Sequence, residues 1–417
     1  MKIKIIKNKI CRMCDGKKFW TVLDLGRHPL VNNLVKKEDL NKKEPTFPLV
    51  LKQCKKCRLV HLVEVVDASE IYKKVDYPYF SSDMPGLENY FIEYMKDVKD
   101  RFLKEGDLIV EIGSNDGALL NPWKDKMRVL GIDPAMNVAL RALKRGIPTV
   151  PEFFSENLAK KIVKEWGMAK VVVANNCMAH LNDLRGVMLG IKTLLSSDGI
   201  FVLEANYWGI MVKNTNYSFI YHDHFSFFAL KPWQQFAKKY GMTVFDAMIT
   251  PAQGGTLRLF LSNGKMPVTE RLRSMEKEEL ATKLNSYETS AGYCDNAVRV
   301  SKKLRKILEN IKGEGKTIAG YGAAAKGFTI LHYSGIDGKF IDYIIDDSPA
   351  KQGLYAPVSH IPIISREEAE KKLPDYFLIL APNFADVIIK KENRFVQNGG
   401  KFVVWKGNEV DTNFRVR

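Results

Sequence analysis

Four cysteines constrain this chain more than any other feature. They stand as Cys11-Arg-Met-Cys14 and Cys54-Lys-Lys-Cys57. Each C-x-x-C knuckle brings two thiolates within reach of one tetrahedral zinc ion, and two knuckles complete a four-sulfur shell. Such a shell has no open position, so its zinc builds structure and does not activate water. The stretch from residue 15 to 53 is longer than a short zinc ribbon holds and calls for a folded excursion between the knuckles. Two unrelated pairs of buried cysteines would be the bland alternative, but chance seldom makes both pairs when the whole chain has six cysteines. A redox role suits one pair and not the doublet. His61, just past the second knuckle, reads as structural and not as a ligand.

A chain of 417 residues has room for two to four domains. No run of eighteen apolar residues occurs, so no membrane span is expected. The N-terminus, MKIKIIKNKICRMC, is basic but lacks the apolar stretch of a signal peptide. With most cysteines in knuckles, a cytoplasmic location is expected. The net charge of +16 is compatible with a nucleic-acid partner. The lysines, however, are spread along the chain as solvated pairs, with no basic arm interleaved with aromatics. Nucleic acid is therefore not expected as a partner.

Residues 1–70 read as the zinc-binding domain, with β-like runs PLVLKQC and RLVHLVEV. An aromatic stretch follows, with Tyr72, Tyr77, Tyr79, Phe80, Tyr90 and Phe91, then a helix, ENYFIEYMKDVKDRFL. Strand-like runs DLIVEIG, RVLGID, TVPEF, KVVVANN and GIFVLEAN then alternate with helical patterns, as in a parallel sheet covered by helices on both faces. TVFDAMI and TLRLFLS look like antiparallel additions. This gives a second domain over 71–265, a charged helical connector over 266–314, and a smaller α/β domain over 315–417 with strands KTIAGYG, FIDYIIDDS, YFLILAP and KFVVW. The expected fold class is α/β: an N-terminal zinc-binding domain, a central Rossmann-like domain and a smaller C-terminal Rossmann-like domain.

DLIVEIG runs into Glu111-Ile-Gly113-Ser114-Asn115-Asp116-Gly117, a strand followed by a glycine turn that lets backbone approach a ligand. Asp133, at the end of the next strand, is placed to accept both hydroxyls of a ribose. An NAD site would need G-x-G-x-x-G. This loop is G-S-N-D-G, and its acidity opposes a pyrophosphate while suiting the sulfonium and amino groups of S-adenosylmethionine. The methyl donor is therefore the expected cofactor. Asn175, the first asparagine of KVVVANN, completes the candidate donor-binding set.

The chain has seven histidines. Two fall in Tyr221-His222-Asp223-His224, and His180 follows the fourth strand. These motifs, taken in order over nearly the whole length, resemble the zinc-containing nucleotide-sugar C-methyltransferases of deoxysugar biosynthesis. The resemblance is carried by the two knuckles, Y-x-Y-x-S-S from Tyr77 to Ser82, EIGSNDG, His180, YHDHFSFF, GGTLR at 254–258 and GYGAAAKG at 320–327.

The resemblance implies a class I methyltransferase that methylates carbon 3 of a nucleotide-linked 4-keto deoxysugar. A proton beside a ketone can be removed when the enolate oxygen is stabilised. In that scheme His224 is the base and Tyr221 stabilises the enolate. His180 and His222 orient the sugar or relay the proton, and Asp223 orients a histidine or meets the sugar. Tyr77, Tyr79, Ser81, Ser82 and Arg258 fall in the substrate-binding set. So do Gly322 and Lys326, where a loop of backbone N–H groups and an ammonium suits a pyrophosphate. The chain departs from the family pattern at Asp223, where Glu is usual, and at Gln253, where His is usual.

Two other readings stay open at this point. One is methylation of oxygen or nitrogen on a nucleotide sugar or related metabolite. The other is a non-catalytic, zinc-containing nucleic-acid binder on the same fold. The sequence names neither the nucleotide nor the sugar and leaves the oligomeric state open, a monomer sufficing.

Overall fold

A computed structural model describes residues 3–72, 77, 79–84 and 86–412. The chain divides into two compact units. The first comprises Met1–Trp20, Lys52–Gly209 and Asp223–Ser286; the second comprises Thr21–Leu51, Ile210–His222 and Tyr287–Arg417. Most of the segment between the knuckles, Thr21–Leu51, is thus grouped with the second unit, while both knuckles belong to the first. The helical segment after residue 266 is divided as well. Helix Glu270–Ala281 belongs to the first unit and helix Tyr287–Gly313 to the second.

A seven-stranded sheet organises the first unit. Its order is Thr243–Thr250, Thr256–Ser262, Leu195–Asn206, Ala169–Asn175, Leu108–Ile112, Arg128–Ile132 and Thr149–Val150. All neighbours are parallel except Thr256–Ser262, which runs antiparallel to both strands beside it. This is the class I methyltransferase arrangement. Strands buried on both faces read as near-continuous apolar runs, which is why VVVA and, apart from Glu111, LIVEI carry no alternation. Helix Leu87–Phe102 covers one face with Phe91, Tyr94, Met95 and Val98, at helical spacing, against Ile109, Val171 and Val202. The order of the sheet reverses beside Leu108–Ile112. In open α/β sheets the crevice beyond that strand end is where ligands bind.

The second unit carries a mixed six-stranded sheet in the order Ile363–Ile364, Ile344–Ile345, Ile318–Tyr321, Tyr376–Ile379, Lys401–Lys406, Glu409–Asp411. Only the last strand is antiparallel. The short strand at Ile363 escapes sequence reading because two residues carry no periodicity. TVPEF likewise forms only Thr149–Val150. Among the described residues no helix is long and apolar enough to cross a membrane.

Candidate active site and metal centre

The sulfur atoms of Cys11, Cys14, Cys54 and Cys57 all lie within 4.8 Å of one another. Cys11 and Cys57 are 3.5 Å apart, as are Cys14 and Cys54. Tetrahedral zinc with bonds of about 2.3 Å spaces its sulfurs by roughly 3.8 Å, so the four thiols fit that ion. His61 stands outside this group. Its Nδ1 is 2.7 Å from Arg12 Nη1, and its ring is fully buried.

The donor loop follows from strand Leu108–Ile112. Gly113 has φ +70°, and a Cβ there would stand 2.5 Å from the Cys177 Cβ; Gly117 at φ +76° would strike Ile147 in the same way. Only glycine permits this turn. Asp133 accepts from the Asn115 and Ala135 N–H groups, each at 2.9 Å. Burial nevertheless raises its carboxyl to about 6. Burial drives Glu111 well above the usual carboxyl range, with Asn175 partly opposing it. Glu111 Oε2 and Ser114 Oγ are buried without a hydrogen-bond partner. Two buried acidic groups beside a tight glycine turn fit the hydroxyls and cationic groups of S-adenosylmethionine.

Asp116, expected in the donor-binding set, has its side chain engaged within the fold. Its carboxylate is fully buried and turned away to Ser82 Oγ at 2.5 Å, Arg141 Nε at 3.5 Å and Arg145 Nη1 at 3.6 Å. Two guanidinium groups stand against its charge. The Asn115 side chain is also committed. It donates to the Tyr79 carbonyl at 3.0 Å and accepts from the Ser81 N–H at 2.8 Å. Asn137 clasps the Tyr77 backbone from both sides, with 2.9 Å from its amide to the Tyr77 carbonyl. The Y-x-Y-x-S-S segment is therefore bound directly to the donor loop. Burial, with Asp223 and Asp133 nearby, keeps the Tyr77 phenol protonated well above its usual range.

The rings of His180 and His224 meet edge to face at 4.9 Å. His180 ends the short helix Met178–His180 beyond strand Ala169–Asn175, and the Phe225 N–H donates to the Ala179 carbonyl at 2.7 Å. Asn206, closing strand Leu195–Asn206, reaches His224 Nδ1 at 3.5 Å. The Tyr72 hydroxyl lies 2.8 Å from His180 Nδ1. Burial lowers His180 to about 4, with the backbone of Asp223 and Asn176 opposing the shift, so the ring is neutral near pH 7. Neither Tyr72 nor Asn206 stands among the residues that the sequence offered for the site. The first was visible only as one of several aromatics, and the second only as the end of a strand.

His222 is not brought beside His224 by any of these contacts. It belongs to the second unit, where its buried ring packs edge-on against Phe47 at 5.8 Å, and burial lowers it to about 4. Tyr221 precedes it, half-buried. Arg258, expected to meet substrate, lies inside the first unit instead. It is 4% exposed, donates through Nε to Glu204 at 2.9 Å and through Nη2 to the Tyr90 hydroxyl at 2.7 Å, and stacks 3.6 Å from the Tyr94 ring centre. Glu204 and Arg258 are cross-strand partners, so the sheet register itself makes this pair.

In the second unit, the backbone N–H groups of Gly322, Ala323 and Ala324 are already taken by the Ile345 carbonyl, Asp346 Oδ2 and the Gly322 carbonyl. The donors expected of this loop therefore narrow to the first turn of helix Ala325–Ser334 and to Lys326. The Lys326 ammonium sits 3.7 Å over the Phe219 ring, and burial lowers it to about 7.

Three family models match the chain: a putative zinc binding domain over residues 11–72, a methyltransferase domain over 87–247, and a C-methyltransferase C-terminal domain over 251–405. The C-methyltransferase NovU of Streptomyces niveus is 34% identical over 402 residues, covering 94% of each chain. Among solved structures, the plantazolicin methyltransferase BpumL with S-adenosylhomocysteine and a pentazolic desmethyl analogue is 14% identical. It covers 48% of this chain and 95% of its own at a TM-score of 0.38. Magnesium protoporphyrin IX methyltransferase of Synechocystis covers 47% and 91% at 13% identity and a TM-score of 0.34. At that distance neither bears on the reaction. On its domain content and its full-length relative, the chain belongs to the C-methyltransferase family, as a class I S-adenosylmethionine-dependent methyltransferase with an N-terminal four-cysteine zinc site.

Proposed function

We propose that this C-methyltransferase acts on carbon 3 of a nucleotide-linked 4-keto deoxysugar, with His224 as the base that removes the carbon 3 proton. Methyl transfer to carbon needs a carbanion-like nucleophile, and a ketone next to that carbon supplies it once the enolate oxygen is stabilised. When bound, S-adenosylmethionine supplies an electrophilic methyl group. The observation that carries the reading is the edge-to-face His180–His224 pair, in the same unit as the donor loop and beyond the ends of strands Ala169–Asn175 and Leu195–Asn206. His180 is neutral and tethered, which suits it to orient its neighbour. The Tyr77 phenol, protonated throughout the neutral range, is a hydrogen-bond donor to sugar oxygens, and Tyr221 is the enolate donor. The helix start at Ala325 and Lys326 are the proposed holders of the substrate's diphosphate.

The test is a panel of nucleotide 4-ketosugars with isotope-labelled methyl donor, read by mass spectrometry. With S-adenosylhomocysteine in place of the donor, the enzyme is expected to wash deuterium from heavy water into carbon 3. His224→Asn is expected to lower methylation and exchange by about 10²–10⁴-fold. A methyl ether or methylamine product without exchange at carbon 3 overturns the reading. Exchange that survives in His224→Asn but vanishes in a His180 variant moves the base to His180.

A further inference from the structure

Arg12 stands inside the first zinc knuckle and is 2% exposed. Burying a guanidinium is costly unless its N–H groups are used, and an apolar side chain of similar size often serves stability as well or better. What a guanidinium adds is direction, because its donors leave a rigid fork along set lines. The acceptors along those lines are all neutral. Nη1 donates to His61 Nδ1 at 2.7 Å and to the Phe225 carbonyl at 3.1 Å, and Nε donates to Asn182 Oδ1 at 3.1 Å.

Two of those acceptors lie next to the paired histidines. Phe225 follows His224 directly, and Asn182 lies two residues beyond His180. The third, His61, belongs to strand Val60–Leu62, which pairs antiparallel with Ser226–Phe227 and sets His61 opposite Ser226. The Phe225 carbonyl also accepts the Leu62 N–H at 2.9 Å, and Asn182 Oδ1 also accepts Asn8 Nδ2 at 3.0 Å. One side chain, held at its root by a metal-binding cysteine on either side of its turn, therefore ties together both histidine-bearing segments. All of these residues belong to the first unit.

We propose that Arg12 is a positioning residue for methyl transfer: the zinc knuckle sets its guanidinium, and the guanidinium sets the distance and angle between His180 and His224 through Asn182 and Phe225. On this view the zinc site contributes to the reaction as well as to folding. The inference rests on the reading of His224 as the base. A misplacement of about 1 Å remote from the chemistry costs on the order of 10²-fold in rate.

The experiment compares Arg12→Met, Arg12→Lys and Asn182→Ala with the wild-type protein. Five quantities are read: zinc per chain, the fraction of protein that binds S-adenosylhomocysteine, kcat and KM on the panel ketosugar that the wild type methylates, and the ring resonances of carbon-13-labelled histidine. Arg12→Met is expected to keep its zinc and its donor-binding fraction, to lose about 10–100-fold in kcat with KM changed less than about threefold, and to shift the His180 and His224 resonances. His28, His332 and His360 should not move. Arg12→Lys, able to reach one acceptor at a time, should recover part of kcat. Asn182→Ala, which leaves the guanidinium in place, should lose less than Arg12→Met, and the double variant should lose no more than Arg12→Met alone. If Arg12→Met fails to fold, the Lys and Ala variants decide the matter by the same readouts. Unchanged kcat and unmoved His180 and His224 signals in folded, zinc-replete variants overturn the proposal, as does a kcat loss that merely tracks the donor-binding fraction. Full activity in His224→Asn would overturn the base assignment separately, since the resonance shifts in the Arg12 variants do not depend on it.

Discussion

The hydroxyl of Tyr72 lies 2.8 Å from Nδ1 of His180, joining the chain just after the zinc region to the segment that holds one ring of the His180–His224 pair. With the hydroxyl donating, the His180 proton resides on Nε2, and the ring has one orientation against His224. Removing this hydroxyl while keeping the ring should loosen that orientation. A single neutral hydrogen bond contributes about 0.5–1.5 kcal/mol, so Tyr72→Phe is expected to lower kcat by about 3–10-fold with donor affinity unchanged. Steady-state kinetics with donor-binding calorimetry checks this, and an unaltered kcat would remove Tyr72 from the site.

As the proposed holder of the donor ribose, Asp133 should make the donor affinity pH-dependent. Burial raises its carboxyl from 3.8 to about 6, so it is ionised above that range and protonated below it. The ionised form is the better acceptor for ribose hydroxyls. Affinity for S-adenosylhomocysteine should therefore hold between pH 7 and 8 and weaken below 6, by at most about tenfold per pH unit, with proton release on binding. The same shift favours the free folded state more at pH 4 than at pH 7, because the native state then binds the extra proton. Asp133→Asn should flatten the binding profile, and a flat wild-type profile would exclude Asp133 from donor binding.

Lys326 carries the opposite sign. Burial lowers its ammonium from 10.5 to about 7, so above that pH the free protein holds it largely neutral. An anion stabilises the charged form, so binding at pH 8 should take up close to one proton. Affinity should fall with rising pH above 7 by up to about tenfold per unit. UDP-glucose and dTDP-glucose are suitable probes, since their diphosphate diesters do not titrate there. Calorimetry in two buffers of different ionisation enthalpy measures the uptake. Lys326→Met should abolish it, and uptake that persists in that variant would place the diphosphate elsewhere.

Metal analysis should find about one zinc per chain. Cys54→Ala breaks a closed four-sulfur shell, and zinc-binding free energy is in part folding free energy. Zinc content and melting temperature should therefore fall together. Full zinc occupancy in a Cys11→Ala/Cys54→Ala variant would show that the metal is held by other residues.

How much of this was legible beforehand depends on the range over which each feature is encoded. The four-cysteine site was readable because each knuckle is local and thiolate chemistry is narrow. The strand-helix alternation was readable because double-sided burial demands near-continuous apolar runs. The turn at Gly113 was readable because a positive φ selects glycine. Side-chain allegiance was not readable. Asp116 looks like a donor ligand in the string EIGSNDG until Arg141 and Arg145 fold onto it. Arg258 looks like a substrate contact until the sheet register sets it opposite Glu204, 54 residues away. Tyr72 finds His180 across 108 residues, and Arg12 finds Asn182 across 170 and Phe225 across 213. No periodicity or spacing records such pairings, because they are made by packing the finished sheet and not by the local backbone. By itself, then, the sequence determined which chemistries this chain offers: a metal shell, a candidate donor loop and a cluster of histidines. Only the tertiary structure decided which charged and polar groups are neutralised inside the fold and which are held in place to act.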